Sequence, residues 1–289
     1  MAGPRRIGLT ANLDKPQALP VAARLRDSLS AAGCTVLADE DLAPHLGLEP
    51  SGPDGLAAAD LVVSLGGDGT LLNTVRVLGP GMCPVLGLNL GGLGFLTAFS
   101  SNDIDSGVPA IVAGDYAIES RHLLRAEFES DGRPASLEAL NEILIDEGSM
   151  PRRSVVLRTE VAGAYVGTFT ADGLIVGTPT GSTAYSLSAG GPIVNPRLPA
   201  LVLTPVCPHS LAIRPLVIEE HETVVVESLL PGVTLRLTAD GQDARSASDH
   251  HPIRIGLSDR TVDLAFLRGR PWYELLRTKL SWGGIPKDR

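Results

Sequence analysis

Residues 61–78 read LVVSLGGDGTLLNTVRVL, and the order of apolar, glycine and polar positions in them decides the fold. Leu61-Val62-Val63-Ser64-Leu65 is a nearly unbroken apolar run, the mark of a strand covered on both faces in a parallel sheet. Gly66-Gly67-Asp68-Gly69-Thr70 ends it, and Leu71–Leu78 resumes the three- and four-residue spacing of a helix. Strand, glycine turn and helix in so short a stretch form the repeating unit of an open α/β sheet, whose ligands lie beyond the carboxyl ends of the strands.

The same alternation continues on both sides. RIGLTANL (6–13) reads as a strand ending in a polar turn. Over 16–33, Leu19, Ala22, Ala23, Leu25, Leu29 and Ala32 recur at helical steps, and Gly33 is placed to stop them. CTVLAD (34–39) is a short strand, and 40–58 is polar and Pro/Gly-rich with room for a short helix. Pro84–Asn89 is another strand, running into Gly91-Gly92-Leu93-Gly94. Beyond about 115 helical periodicity fades. Strand-like segments dominate at 120–129, 140–146, 154–161, 164–170, 173–177, 222–228, 233–239 and 261–268, with turn signals at Asp131-Gly132 and Asp240-Gly241. The expected organisation is an open, mostly parallel α/β domain at 1–115 and a β-rich domain at 116–270. A C-terminal helix within 271–282, entered through Pro271, is expected to pack back on the first domain.

Composition bounds the function. The chain has 289 residues, enough for two domains with real cores, and 24 Lys+Arg against 33 Asp+Glu give a net charge of −9. An acidic protein is a poor partner for nucleic acid, and any phosphate it binds must be held by local devices rather than by the global field. Glycine and proline together number 32 and 22, about 19% of the chain against an average of about 12%, without any collagen-like period. Val77–Phe99 runs 23 residues without a charge, but its six glycines, two prolines and Asn89 make it a broken membrane helix and a good soluble strand and loop. Three widely spaced cysteines (Cys34, Cys83, Cys207) support neither a disulfide framework nor structural zinc, and no signal-peptide core follows the N-terminus, so a cytoplasmic location is expected. The six histidines show no ligand spacing such as HExxH, and no Gly-x-Ser-x-Gly elbow is present.

Four constellations carry chemistry. Gly66-Gly67-Asp68-Gly69-Thr70 lets backbone approach a phosphate at a helix N-terminus, although Asp68 as a plain N-cap is the competing reading. Gly66, Gly67 and Thr70 are its phosphate-binding candidates; the loop lacks the spacing and the lysine of a Walker A motif. Asn89–Phe95 places a second glycine loop at the same end of the sheet, with Phe95 as a wall of the crevice or a core residue. Asn141-Glu142 sits among Leu140, Ile143, Leu144 and Ile145, where a polar pair is costly without partners; it suits ribose hydroxyls, or else faces water at a strand edge. The densest is 171–191, ADGLIVGTPTGSTAYSLSAGG, with four glycines, seven hydroxyl side chains and no charge between 177 and 191. Flanking Leu174-Ile175-Val176 and Ile193-Val194 favour a buried ligand loop over a linker, and Tyr185 adds a ring for stacking on a heterocycle.

Together these motifs resemble the NAD kinase family: Gly66–Gly69, Asn141-Glu142, Asp172-Gly173 and Thr178–Pro192 stand in that family's order, over roughly residues 6–280. GGDGT alone is shared with diacylglycerol and sphingosine kinases; the Thr-Pro-Thr-Gly-Ser-Thr-Ala-Tyr segment makes the resemblance specific. The resemblance implies that Asp68 is the general base acting on the adenosine-ribose 2′-hydroxyl of NAD, with Gly69 against that substrate. It implies that Asn141 and Glu142 hold ribose and base polar groups, that Asp172 holds another polar end, and that Thr183, Ala184, Tyr185, Ser186, Leu187 and Ser188 line the pocket with Phe95. Arg152 and Gln242 fall near positions that contact substrate in relatives; for Gln242 a role in the Asp240-Gly241 hairpin competes. Mg²⁺ or another divalent cation is implied with ATP, and no protein-built metal site. The position two before Asp-Gly, linked in relatives to donor choice between ATP and polyphosphate, is Thr170, neither glycine nor arginine. A homodimer or homotetramer is implied as well. Competing functions are a lipid or sphingoid-base kinase, disfavoured by the acidic charge, and a non-catalytic NADP(H)-binding regulator, which would have no need of Asp68.

Overall fold

The computed structural model describes residues 3, 5–79, 83–92, 94–148, 154–248, 251–267 and 271–282. It divides into two compact units, one formed by residues 1–120 with 262–289 and the other by 121–261. Against the expected boundaries, the described residues 116–120 and 262–267 group with the first unit.

The first unit begins with β1 (Arg6–Ala11), α1 (Ala18–Ala31), β2 (Thr35–Ala38), the short helices α2 (Ala43–Leu46) and α3 (Pro53–Ala57), β3 (Leu61–Gly66), α4 (Asp68–Leu78), β4 (Val85–Asn89), β5 (Thr97–Ser100) and α5 (Ile104–Ala113). Its strands are parallel in the order β5-β4-β3-β1-β2, and Leu264 and Ala265 of the returning chain pair with Val85 and Leu86 of β4. Every residue of β3 and β4 is buried, which is why both read as continuous apolar runs. Leu25 and Leu29 of α1 and Ile104 and Ile111 of α5 pack with Leu9, Val63, Leu65 and Leu88 in one core.

β5 and α5 carry no clear signal in the sequence. Pro109 stands inside α5, and Gly107 is there because Phe99 packs so close that a Cβ would meet its ring at 3.0 Å. Both residues depress helix propensity, and tertiary packing overrides them.

A buried hydroxyl cluster fixes α4 against the sheet. Thr74 Oγ1 donates to Thr70 O (3.0 Å) and lies 2.8 Å from Thr10 Oγ1 of β1 and 2.9 Å from Ser64 Oγ of β3. With its own proton committed to Thr70, Thr74 accepts from the other two.

The second unit is antiparallel. It holds most of β6 (Tyr116–Ser130), then β7 (Arg133–Ala139), β8 (Glu142–Glu147), β9 (Val155–Val161), β10 (Ala164–Ala171), β11 (Gly173–Gly177), α6 (Tyr185–Ser188), β12 (Ala200–Val206), β13 (Leu216–Glu219), β14 (Val224–Ser228), β15 (Leu235–Ala239), β16 (Asp243–Ala247) and the start of β17 (Ile253–Leu267). One sheet runs β13-β12-β11-β8-β15-β16; β10, β9, β14 and β17 are consecutive neighbours in another, and β6 pairs β7 as a hairpin. Inward residues of both sheets, among them Ile143, Ile145, Leu174, Leu157 and Val226, share one core. Asp131-Gly132, Ala162-Gly163 and Asp240-Gly241 all have positive φ in hairpin turns, the geometry that matches strand twist. The last helix among the described residues is α7 (Trp272–Lys279), grouped with the first unit.

Thr74→Val keeps shape and removes the acceptor that Thr10 and Ser64 share. It should lower stability by about 1–3 kcal/mol in urea unfolding, because two buried hydroxyls lose their partner; an unchanged midpoint would contradict the assigned donor order.

Candidate active site

In the first unit, the glycine loop of the sequence is a tight turn between β3 and α4. Gly67 is the extended N-cap residue, and its N–H faces Thr70 Oγ1 at 3.3 Å. A Cβ on Gly66 would lie 2.1 Å from that same oxygen, so the turn closes only around glycine. Asp68 is therefore the first helical residue rather than the N-cap, and its carboxylate does not turn back on its own helix. Oδ2 accepts the N–H of Phe95 at 2.7 Å and Oδ1 that of Leu96 at 3.0 Å. Each oxygen retains acceptor capacity for a further proton donor.

Asn89, at the end of β4, shapes the loop that supplies those amides. Its Nδ2 donates to Gly92 O (2.6 Å) and Thr97 Oγ1 (3.3 Å), and its Oδ1 accepts from Gly91 N (2.6 Å). Gly94 is required by contact: a Cβ there would fall 1.9 Å from Asp68 Oδ1. The half-buried Phe95 ring has Lys279 Nζ of α7 5.3 Å from its centroid, a cation–π contact.

In the second unit, Asn141 immediately precedes β8 and Glu142 is its first residue, and both are buried. Their main chain is clamped from two sides. Asp240, in the β15–β16 turn, accepts the N–H groups of Leu140 (2.8 Å), Asn141 (2.7 Å) and Glu142 (3.2 Å), and its own N–H donates to Glu142 O at 3.0 Å. On the carbonyl side Thr178 Oγ1 donates to Leu140 O at 2.7 Å, and Thr178 N to Asn141 O at 2.8 Å. Gly181 packs so tightly there that a Cβ would lie 2.1 Å from Asn141 O.

The clamp leaves side-chain atoms over. Asn141 Oδ1 and Glu142 Oε2 are buried with no hydrogen-bond partner, a costly state that a polar ligand relieves. Burial, with the negative charge of Asp240 second, pushes the Glu142 carboxyl up to about 8 against the opposing Tyr185 N–H. At neutral pH Glu142 is therefore a carboxylic acid that can donate as well as accept. Burial also raises the Asp240 carboxyl, opposed by its three main-chain donors.

The hydroxyl-rich loop divides into two sets. Thr178, Ser182 and Ser186 are buried; Ser182 Oγ donates to Pro179 O (2.7 Å) and accepts from Val194 N (3.0 Å), and Ser186 Oγ lies 2.8 Å from Thr204 Oγ1. Ser186, expected to line the pocket, thus has its hydroxyl engaged with β12. Thr183, Ala184 and Leu187 are half-buried, Tyr185 and Ser188 exposed, and the Tyr185 N–H brings α6 to Glu142. Gly69 is exposed on the first turn of α4. Asp172 is exposed between β10 and β11, its N–H on Val206 O at 2.9 Å; Thr170 is half-buried in β10, its O accepting from His209 N at 2.9 Å. Gln242 is exposed in the β15–β16 turn with its N–H on Ala239 O. Arg152 lies outside the described residues. Asp240, read from sequence only as a turn residue, is the group this reading missed; Asp-Gly is visible locally, but its contacts about a hundred positions away are not.

A parallel α/β unit with a carboxylate at a glycine turn, and a β unit with an orphaned amide–acid pair beside a hydroxyl loop, define a nucleotide-handling phosphotransferase that lacks the P-loop lysine. Comparison with known proteins narrows this. The model of the ATP-NAD kinase N-terminal domain matches residues 55–116, and that of the ATP-NAD kinase C-terminal domain residues 140–266. The chain belongs to the NAD kinase family. It is 40% identical over 288 residues to the NAD kinase of Moorella thermoacetica, covering 98% of this chain and 92% of that one. It is 42% identical over 280 residues to the NAD kinase of Heliobacterium modesticaldum, covering 96% and 99%. Among solved structures, yeast NADH kinase complexed with NADH superposes with a TM-score of 0.87 at 25% identity, covering 99% of this chain and 89% of that one. An NAD kinase from Archaeoglobus fulgidus in complex with ATP gives 0.78 at 25% identity, covering 96% and 100%.

Two measurements test these clusters. Gly94→Ala must displace the Asp68 carboxylate, and a misplacement of that size should lower turnover by roughly 10²-fold with the fold intact by circular dichroism; wild-type turnover would show that the carboxylate position is immaterial. Glu142 binds a proton in the folded state up to about pH 8, whereas its ordinary value is 4.5. The native state thus holds a proton that the unfolded chain has lost, and stability should fall as pH rises through that window. In urea titrations at several pH values the decline should be shallower for Glu142→Gln; equal slopes would rule out the raised carboxyl.

Proposed function

We propose that the protein is an NAD kinase in which Asp68 is the general base: the terminal phosphoryl group of ATP passes to the 2′-hydroxyl of the adenosine ribose of NAD, giving NADP and ADP. Whole-length similarity to NAD kinases at about 40% identity supports the activity. The observation that carries the assignment of the base is Asp68, the carboxylate at the glycine turn whose two oxygens are already oriented by the Phe95 and Leu96 amides. Fixed in this way, it takes the hydroxyl proton as the ribose oxygen forms its bond to the γ-phosphorus and the bond to the β-phosphate bridging oxygen breaks.

Asn141 and Glu142 are assigned to the ribose and base, where Asn141 Oδ1 finds a hydroxyl or amino donor and the protonated Glu142 Oε2 can donate to a hydroxyl oxygen. Tyr185, exposed by 40%, is assigned to a face of a ring, with Thr183, Ala184, Leu187 and Ser188 around it. Gly66, Gly67 and Thr70 are assigned to the donor's phosphates, and Gly69, Phe95, Asp172, Thr170 and Gln242 to further substrate contacts. Mg²⁺ suits this donor set as a partner of ATP, since it commonly binds through substrate phosphates and one or two carboxylates rather than an all-protein cage. When bound it neutralises charge on the triphosphate.

The exposed thiol of Cys207 suits the reducing cytoplasm. Among the described residues no helix is long and apolar enough to cross a membrane. A homo-oligomer is the proposed assembly, supported by apolar Leu216 and Val217 exposed on the edge strand β13. Nothing in either unit favours a lipid kinase or a non-catalytic regulator.

The test is direct: NAD with ATP-Mg²⁺ should give NADP, read by a NADP-dependent dehydrogenase, and the same assay with polyphosphate reports donor range. Asp68→Asn should lose about 10²–10⁴-fold in kcat while NAD binding by calorimetry is kept. Full turnover in that variant would remove Asp68 from the role of base.

A further inference from the structure

We propose that Asp240 is a positioning residue for NAD recognition: its carboxylate, by gathering the N–H groups of Leu140, Asn141 and Glu142, fixes where the Asn141 and Glu142 side chains meet the dinucleotide. The inference rests on the NAD kinase reading and adds to it a group that touches the site only through main chain.

A hairpin turn of the Asp-Gly type needs no such contact. Asp131-Gly132 makes the same turn between β6 and β7, with φ of 50° and 73° against 50° and 68° at Asp240-Gly241, and Asp131 is exposed at the surface. The Asp240 carboxylate instead turns to the bend that precedes β8. Ladder pairing of β8 with β11 begins at Glu142 and with β15 at Ile143, so the amides of Leu140 and Asn141 lie ahead of the strand ladder. Asp240 satisfies them, and Thr178 satisfies the carbonyls of the same two residues. With every local main-chain group engaged, the side chains of Asn141 and Glu142 are held in place without using Asn141 Oδ1 or Glu142 Oε2. A site pre-formed in this way does not need to be ordered by its ligand.

Asp240 also adds, after burial, to the raised carboxyl of its neighbour. Around Glu142, β11 presents Gly177, which carries no charge, α6 presents the Tyr185 N–H, and the β15–β16 turn presents Asp240. Asp240 is thus the charged group that helps keep Glu142 protonated at neutral pH. The protonated acid suits a hydroxyl-rich, phosphate-bearing ligand better than a second buried anion does.

Asp240→Asn tests this, because Asn tolerates the positive φ of the turn but offers only one accepting oxygen and no charge. In the full chain, we expect the unfolding midpoint within a few degrees of wild type and KM for NAD raised about tenfold or more. KM for ATP should stay within about twofold, as the donor is assigned to other residues. A merely structural role would not move the pH profile: kcat/KM for NAD should fall above about pH 8 in the wild type, lose that step in Glu142→Gln, and shift it to lower pH in Asp240→Asn. Asp131→Asn, in the matching turn, should change neither. Wild-type KM for NAD and an unmoved step in Asp240→Asn would overturn the proposal while leaving the kinase reading standing; absence of NADP formation by the wild type would instead remove the kinase reading. If Asp240→Asn does not fold, Asp240→Ser, which keeps one acceptor, is read by the same criteria. If neither folds, a wild-type profile with no step near pH 8 overturns the proposal.

Discussion

The hydrogen bond from main-chain N–H to a side-chain carboxylate holds each of the two clusters in place. Asp68 reaches forward to the amides of Phe95 and Leu96, and Asp240 reaches back to those of Leu140, Asn141 and Glu142. Charge-assisted bonds of this kind are shorter and stronger than those between neutral groups, and one carboxylate can collect several. Each joins segments far apart in the chain, so a loop that would otherwise lose entropy on meeting a ligand is already ordered. The remainder of each cluster accommodates that contact. Gly94 and Gly181 are glycines because the atoms they face leave no space for a methyl group, and Thr178 and Asn89 tie the opposite sides of the same loops.

The chain has a net charge of −9, so an anion is favoured only where local groups receive it. Several of its acidic side chains are engaged internally; Asp146, for instance, is buried under a bidentate contact from Arg236. The glycine turn adds a helix N-terminus at the start of α4 and a single carboxylate, Asp68, already engaged by the Phe95 and Leu96 amides. The buried hydroxyls of Thr10, Ser64 and Thr74 keep that helix seated on the sheet without adding charge near it.

Much of this was legible in the chain. β3 and β4 are buried on both faces, so their runs of Val and Leu needed no periodicity to be recognised, and the glycines after them marked the ends. The motif residues Asp68, Asn141 and Glu142 are conspicuous because polar groups interrupt apolar stretches. Elements whose local chemistry contradicts their state were not legible. β12 contains Pro205, which weakens any strand assignment; it is tolerated because β13 pairs only with Ala200–Leu203 and leaves that position unbonded on its side. α5 contains Pro109 and Gly107, and β17 begins with a Gly- and Ser-containing stretch. In the site, the hydroxyls of 178–188 looked alike in sequence, yet burial separates Ser182 and Ser186, which hold the loop, from Thr183 and Ser188, which remain available. No spacing encodes that division, because it depends on which side of the loop faces Thr204 and Val194.

The two clusters also differ in what they can bind, and the difference follows from charge. Around Glu142 there are an amide oxygen, an acid that holds its proton at neutral pH, and the Asp240 carboxylate. A phosphate brought there would face the negative charge of Asp240 with little to neutralise it, whereas ribose hydroxyls can both donate to Asn141 Oδ1 and accept from the protonated Glu142. At the glycine turn the polarity is reversed: the amides at the start of α4 are donors, and the one carboxylate, Asp68, is fixed by the Phe95 and Leu96 N–H groups. A carboxylate held there cannot swing aside to relieve repulsion from an incoming anion, and such rigidity is tolerable only if the position of the charge is useful. Each cluster therefore has its own polarity: acceptors and a protonated acid around Glu142, and main-chain donors with one fixed carboxylate at the start of α4.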